Sequence, residues 1–153
     1  MKKYVLLIFA CLMLLSLAAC SSQTRQGKVL NSVGKYESEQ IWTHDGFQDY
    51  TDFGIYTFSS VDLYSNPYFS AVTAENMETI GSFIDNFEEW IEACRNSNPN
   101  GDLVLNYFFD RSIVDTTDYF YIYEGENYPK YGCYDLWVFD TQTNTMYYFH
   151  NNI

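Results

Sequence analysis

Residues 74–94 read AENMETIGSFIDNFEEWIEAC, and this stretch decides the fold. Its apolar residues recur every three or four positions, the spacing of one stripe along an α-helix. They are Met77, Ile80, Phe83, Ile84, Phe87, Trp90, Ile91 and Cys94. The opposite side carries Glu78, Asp85, Glu88, Glu89 and Glu92. The pattern predicts an amphipathic helix over about 74–94, with Thr73 as its N-cap, whose aromatic stripe packs on a core.

Downstream of this helix the apolar pattern alternates with a period of two, which indicates strands. Residues 118–123 read DYFYIY, and residues 134–139 and 145–150 are two further runs rich in Tyr, Phe, Trp and Val. Between the last two lies a hairpin loop, residues 140–144, in which we expect Asp140 to bond the turn backbone and Asn144 to take a positive φ. Residues 53–58 predict an earlier strand, and the apolar run 103–109 receives no assignment. The order predicts an α+β fold, with one long helix packed on an antiparallel sheet that contains a C-terminal three-strand meander.

The first twenty residues have the layout of a secretory signal peptide. Positions 2 and 3 are lysines, residues 4–17 are mostly apolar, and the stretch ends in Leu17-Ala18-Ala19-Cys20. This ending resembles the lipobox of bacterial lipoproteins. The resemblance implies that residues 1–19 are a cleaved signal peptide, cut between Ala19 and Cys20. It also implies that Cys20 becomes the N-terminus and carries a diacylglyceryl group.

Two other interpretations of this segment stay open: an ordinary secretory signal cut after Ala19, and an uncleaved membrane anchor. The apolar run from Tyr4 to Ala19 has sixteen residues, whereas a membrane span needs about 20. Two acyl chains hold a protein stably on a membrane, whereas one chain binds only reversibly. The lipoprotein interpretation therefore predicts a protein held by Cys20 on the extracytoplasmic face of the cell membrane.

The remainder of the chain divides into a tether and a domain. Residues 20–40 are polar, and Val29, Leu30 and Val33 are too few to hold a helix on a core, so we predict a lipidated flexible tether. The twenty residues after Cys20 would average roughly 25 Å end to end. Residues 41–153 suit a single α+β domain.

The charge of the mature chain limits its partners. All twenty acidic residues follow Ala19, against six basic ones, a side-chain balance of −14. Such a chain is repelled by phosphate backbones, so nucleic acid is excluded as a partner, and anionic lipid head groups repel it as well. Two interpretations remain for the acidity: attraction of a basic partner, or the simpler one that charge keeps an exported protein soluble.

The sequence offers little for nucleophilic or zinc chemistry. His44 and His150 are the only histidines, and neither a Cys-x-x-Cys nor a His-Glu-x-x-His motif is present. A Gly-x-Ser-x-Gly elbow is absent as well. We therefore predict no catalytic residue and classify the protein as non-enzymatic.

Three groups of acidic residues are weak candidates for metal binding or catalysis. Residues 140–144 begin like a calcium loop, but the loop's required Gly and Glu are missing, so a hairpin turn is favoured. Asp110, Asp115 and Asp118 form a cluster better explained as solvated loop carboxylates. Glu124 and Glu126 are two acids in a turn, which predicts no separation suited to glycoside hydrolysis. No metal and no cofactor are expected.

Cys94 and Cys133 are the two cysteines that follow Cys20. In an exported chain they are candidates for a disulfide that ties the helix end to a strand start. The alternative is two separate thiols, with Cys94 filling the helix stripe.

One face of the predicted sheet is rich in aromatic rings. If Phe120 and Ile122 face the helix, then Tyr119, Tyr121, Tyr123 and Trp137 form the opposite face. Such rings, apolar with a polar tip, can stack sugars or grip a peptide, which makes this a candidate binding face. The alternative is that they cover a half-exposed face or contact a second layer of structure.

The segment from Tyr147 to Asn152 looks like the ends of small uncharacterised surface lipoproteins of Gram-positive bacteria, a likeness that brings no activity with it. The resulting expectation is a membrane-anchored lipoprotein that acts as a non-enzymatic binding module. One alternative is an immunity or inhibitor protein that captures a basic toxin or hydrolase. The other is a small hydrolase, which requires a concave pocket where carboxylates meet His44 or His150.

Overall fold

The computed structural model describes residues 24–45, 50–125 and 130–152, in two units that are treated separately, residues 1–31 and 32–153. The described strands are β1 (Ser38–Asp45), β2 (Tyr50–Thr57), β3 (Ser70–Ala71), β4 (Tyr119–Glu124), β5 (Cys133–Asp140) and β6 (Thr145–Asn152). They form one antiparallel sheet in the order β1-β2-β6-β5-β4-β3. The described helices are α1 (Arg25–Val33), α2 (Met77–Ser97) and α3 (Asp102–Asn106), and a 3₁₀ turn spans Arg111–Ile113. The predicted α+β class is confirmed.

Helix α2 confirms the predicted amphipathic stripe but begins at Met77 rather than at about residue 74. Ile80, Phe83, Ile84, Phe87, Ile91 and Cys94 are its buried residues. The turn before it is closed by a reciprocal pair, because the Thr73 N–H donates to Asn76 Oδ1 at 2.8 Å and the Asn76 N–H donates to Thr73 Oγ1 at 3.4 Å. Thr73 therefore stabilises the turn that leads into α2, and the N-cap position belongs to Asn76.

The C-terminal meander of β4, β5 and β6 is confirmed with its predicted hairpin. The carboxylate oxygen Asp140 Oδ1 accepts from the N–H groups of Gln142 at 2.8 Å and Thr143 at 3.3 Å. Asn144 has a φ of 52°, as the turn requires. On its other edge β6 pairs with β2, from Tyr50 opposite Asn152 to Thr57 opposite Thr145. The β6 strand thus joins the meander to the β1–β2 pair.

The main core lies between α2 and one face of the sheet. The buried rings of Phe83 and Phe87 on α2 meet Tyr134 of β5 and Phe149 of β6, with ring centroids 4.9 and 5.3 Å apart. Leu136 and Val138 complete the buried β5 contribution, and Phe120 and Ile122 of β4 pack against this cluster. The prediction that Phe120 and Ile122 face the helix is therefore confirmed.

The opposite face of the sheet is also covered, by the segment from Phe58 to Phe69 that links β2 and β3. Phe58 packs on Phe139 with ring centroids 6.0 Å apart, and Tyr68 meets Tyr121 at 5.5 Å. Leu63 and Phe69 of this segment are buried too. As a result β5 is buried on both faces, as a central strand between two layers would be.

The segment predicted as an unstructured tether contains regular structure. Residues 25–33 form α1, whose start is capped by Thr24, since Oγ1 accepts from the Gly27 N–H at 3.2 Å. Gly34 follows the helix with a φ of +127°, a conformation that favours glycine. The β1 strand begins at Ser38 and pairs with β2 along its whole length. The segment predicted to lack a helix thus contains α1 and the start of β1, whereas its lipidation and its role as a tether stay predictions.

The unassigned apolar run 103–109 is a short helix followed by an extended segment. Leu103 and Val104 of α3 are buried, and the Tyr107 ring packs against Phe53 with centroids 4.9 Å apart. Phe109 is also buried. The run lacks a single period because it changes conformation within seven residues.

Candidate functional site

The covered face of the sheet holds a buried carboxylate–imidazole pair. Asp135 on β5 and His150 on β6 are direct cross-strand partners, and Asp135 Oδ1 lies 2.7 Å from His150 Nδ1. The same oxygen accepts a hydrogen bond from the Tyr148 hydroxyl at 2.9 Å. Asp135 is 4% exposed, His150 8% and Tyr148 3%. Because a carboxylate only accepts, this contact places the imidazole proton on Nδ1.

Aromatic rings stack around this pair. Tyr50 lies on His150 with ring centroids 4.5 Å apart, and Tyr148 lies on Trp137 at 4.0 Å. Burial, reinforced by the charge of Asp135 and the bond to it, raises the pKa of the Tyr148 hydroxyl far above its ordinary value. Partial burial also raises the pKa of Tyr50, with smaller contributions from Asp52, Asp135 and Cys133. Both phenols therefore stay neutral at physiological pH.

The chemistry open to this pair is limited by its enclosure. The second ring nitrogen of His150, Nε2, is buried and meets no hydrogen-bonding group among the residues described. In an acid–base pair of this kind Nε2 is the atom that exchanges a proton with a substrate. Nε2 is thus shielded, and the Asp135–His150 contact links β5 to β6.

The two histidines do not form a common site. His44 lies on the α2 side of β1, where its ring meets Trp90 edge-on at 5.0 Å. His150 lies on the opposite face of β6, beside Asp135. Among the described residues, no group of His, Cys, Asp and Glu side chains is arranged to hold a metal ion.

The predicted cluster of Asp110, Asp115 and Asp118 consists of turn-forming side chains. Asp118 is fully buried, and its two oxygens accept from the N–H groups of Asp115 at 2.9 Å and Thr141 at 3.0 Å. Burial raises the pKa of Asp118, with these backbone bonds opposing the shift. Bonds from Ser112 and Thr117 lower the pKa values of Asp110 and Asp115, respectively. Asp118 is thus a buried link between the loop before β4 and the β5–β6 turn, not the solvated carboxylate that the sequence favoured.

The remaining acidic candidates do not form a site. The Asp140 carboxylate is committed to its own turn, where Oδ2 accepts from the Thr143 hydroxyl at 2.7 Å. Glu124 is exposed at the end of β4. Glu126 lies outside the described residues, as do Ala19 and Cys20, so the predicted cleavage and lipid-attachment positions stay predictions.

The structure contains no disulfide between Cys94 and Cys133, the candidate pair. Cys94 is buried at the end of α2, and burial raises the pKa of its thiol. Cys133 lies at the start of β5 and shares a face with Asp135 and Trp137, the face turned away from α2. The sheet therefore separates the two thiols, which is the physical reason that they do not pair.

The candidate aromatic binding face is largely internal. Trp137 is fully buried beneath Tyr148 and Tyr56, so it does not belong to an open binding face. Tyr121 packs against Tyr68 and Phe69, and Tyr119 and Tyr123 are half-buried like it. The alternative, a second layer of structure over this face, is what the fold contains.

An exposed surface beside α2 is a stronger candidate for binding. Leu105 is 65% exposed and Phe108 is 76% exposed, three positions apart in the chain. Asp102 and Asp110 flank them in the chain. Glu88 of α2 accepts a hydrogen bond from the hydroxyl of Tyr107, the residue before Phe108, and Arg111 contacts Asp85 and Glu88. We call these charged residues, with Leu105 and Phe108, the acidic–apolar surface. Sequence reasoning missed this surface, because an apolar run does not reveal which of its residues face outward.

A cavity of about 140 Å³ lies next to the start of α2, on the same side as this surface. Its lining is Met77, Ile80, Gly81, Ile84, Arg111 and Val114. Arg111 Nη2 is held by Asp85 at 2.5 Å and Glu88 at 2.8 Å. The cavity is thus lined by apolar side chains and by Arg111, whose charge is neutralised by Asp85 and Glu88. Such a lining fits a small apolar side chain better than a charged ligand.

Comparison with protein-family models, with curated proteins and with solved structures finds no match for this chain. None of the described helices is both long and apolar enough to span a membrane.

Proposed function

We propose that this protein is a membrane-anchored extracytoplasmic lipoprotein whose domain acts as a non-enzymatic binding module. The lipid anchor is supported by the stretch Leu17-Ala18-Ala19-Cys20, which follows two lysines and a short apolar run. A diacylglyceryl group on Cys20 supplies two acyl chains, enough for stable anchoring. The charge balance of −14 would repel anionic head groups, so the lipid would hold the domain without help from the surface.

Binding without catalysis is supported by the two sites described above. The Asp135–His150 pair shields the nitrogen that would act on a substrate, which disfavours the small-hydrolase alternative. Leu105 and Phe108 expose apolar area that the fold leaves uncovered. Exposed apolar residues rimmed by polar groups are typical of interaction surfaces.

Membrane fractionation tests the anchor. Intact cells producing wild-type protein or the Cys20→Ala variant are broken, and their membranes are washed at high salt. The wild-type protein should remain with the membranes and incorporate labelled palmitate, whereas Cys20→Ala should lose both properties. Cys11→Ala and Cys94→Ala are matched controls that should behave as the wild type. A Cys20→Ala protein that stays unprocessed in the washed membranes would favour the uncleaved anchor and contradict the proposal.

An immunity or inhibitor protein that captures a basic toxin or hydrolase is the second candidate. The observation that favours it is the excess of twenty acidic over six basic side chains after Ala19. Electrostatic attraction speeds encounter with an oppositely charged partner and weakens with salt. A complex with a basic exported protein that dissociates at raised salt would support this candidate.

A further inference from the structure

We infer that the acidic–apolar surface docks a cationic protein segment, with Phe108 and Leu105 as apolar anchors beside neighbouring carboxylates. This inference rests on the proposed binding function and names the surface and the chemistry of its partner.

The residues on either side of Phe108 are held against the protein by packing contacts, whereas the side chain of Phe108 is exposed. The Tyr107 hydroxyl donates to Glu88 Oε1 at 3.1 Å, and the Tyr107 ring packs on Phe53. On the other side, the Phe109 ring meets Tyr147 and Phe149 with centroids 4.9 and 5.0 Å apart. Because both flanking residues are anchored, the backbone at Phe108 is held in place. A side chain held in its bound position loses less entropy on binding than a mobile one.

Leu105 is fixed in a similar way by α3. Leu103 and Val104 are buried beneath this short helix, so the next position is turned to solvent. The helix end is closed by the Tyr107 N–H, which donates to the Leu103 carbonyl at 2.8 Å. Two apolar side chains on one rigid segment form an anchor, whereas single exposed apolar residues are ordinary on protein surfaces.

The charge around Leu105 and Phe108 indicates which kind of partner this surface can bind. Four carboxylates (Asp85, Glu88, Asp102 and Asp110) and the guanidinium group of Arg111 give this surface a net charge of −3. The cation is already engaged, since Arg111 contacts Asp85 and Glu88. A second copy of the chain would bring the same negative charge, and an anionic membrane would be repelled likewise. A segment that carries Lys or Arg around apolar residues is therefore the complementary occupant.

The test uses the full lipidated chain in detergent micelles and a defined probe. The probe is a fluorescent twelve-residue peptide of alternating lysine and leucine, and its counterpart replaces lysine by glutamate. We expect the wild type to bind the lysine peptide, and Phe108→Ser to weaken binding by at least roughly 10-fold. Phe108→Leu keeps the apolar contact and should retain most of the affinity. Tyr64→Ser is the matched control, because Tyr64 is an aromatic residue 89% exposed elsewhere on the domain.

Charge is tested separately from apolar contact. Neutralising Asp102 and Asp110 together (Asp102→Asn, Asp110→Asn) should reduce both the affinity and its dependence on salt. The matched control neutralises Glu37 and Glu75, two exposed acids outside the surface. Urea unfolding of each variant verifies that it is folded.

Three outcomes would overturn the inference. They are equal losses with Phe108→Ser and Tyr64→Ser, equal binding of the lysine and glutamate peptides, and a dimer in sedimentation that Phe108→Ser abolishes. Peptide binding is measured in detergent micelles and does not depend on where the protein lies in the cell. If the Cys20→Ala fractionation contradicts the lipid anchor, the peptide-binding result is therefore unaffected. Conversely, if the lysine peptide does not bind, the proposal of a lipid anchor is unaffected, and only the inference about the acidic–apolar surface is contradicted.

Discussion

Removal of the Asp135 carboxylate should be among the most damaging single changes in this domain. The carboxylate accepts hydrogen bonds from the Tyr148 hydroxyl and from His150 Nδ1, and all three groups are buried. In Asp135→Ala both donors lose their acceptor inside the protein. Each buried polar group left unpaired costs about 1–3 kcal/mol. We therefore expect the free energy of unfolding to fall by roughly 2–6 kcal/mol.

A double-mutant cycle shows whether this cost arises from the unpaired groups. Tyr148→Phe alone should cost about 1 kcal/mol, because Asp135 keeps its contact with His150. Added to Asp135→Ala, the same change removes an already unpaired hydroxyl. The double variant should therefore be more stable than the sum of the single effects predicts, by about 1–3 kcal/mol.

Urea unfolding followed by tryptophan fluorescence provides the measurement, since Trp137 stacks on Tyr148. The slope of the free energy against urea should stay constant, which identifies a loss of stability without a change in compactness. Asp62→Ala is the matched control, because Asp62 is exposed and forms a single local bond to the Tyr64 N–H. An Asp135→Ala variant within about 0.5 kcal/mol of the wild type, the range of ordinary surface changes, would refute the reasoning.

The remaining predictions concern pH, thiols and a turn. The pKa of Asp118 is raised on folding, so its contribution to stability should fall as pH rises above its ordinary value of 3.8 and through the folded pKa. The stability difference between wild type and Asp118→Asn, followed by urea unfolding from pH 3 to 7, should therefore decrease with pH; an increasing difference contradicts the assignment. Thiol titration of the denatured, unreduced protein should find Cys94 and Cys133 both reactive. In the native protein Cys133 should react first, because Cys94 is buried. If both thiols fail to react in the denatured protein, a disulfide joins them. Gly34→Ala should lower the free energy of unfolding by about 1 kcal/mol or more, because Gly34 has a positive φ, and an unchanged thermal midpoint would contradict this.

The spacing of apolar residues was sufficient to predict the elements that have one buried face. Helix α2 keeps its stripe for several turns, and the alternation in β4 assigns Phe120 and Ile122 to the side of α2. The β5–β6 turn was predictable because its geometry depends on local side-chain bonds, those of Asp140 above all. Local chemistry and a regular period are both readable in the chain itself.

Which segment forms the second layer was not predictable, because the layer depends on contacts between distant segments. Trp137 has the alternation of an outward residue, yet it is fully buried under rings that include Tyr56. The Asp135–His150 pair arises from strand register, which brings together residues with no shared motif. Helix α1 was missed for a different reason: only Val29 and Leu30 of its nine residues are buried, so its apolar pattern is too short to stand out in the sequence.

The position of β6 has a consequence for the order of folding. Within the described sheet, β6 is the strand that hydrogen-bonds to both β2 and β5, although it follows every other described strand in the chain. Until β6 is in place, no strand joins the β1–β2 pair to β5 and β4. Pairing Thr57 with Thr145 also closes a long loop, which slows folding. The sheet is thus completed by its last strand.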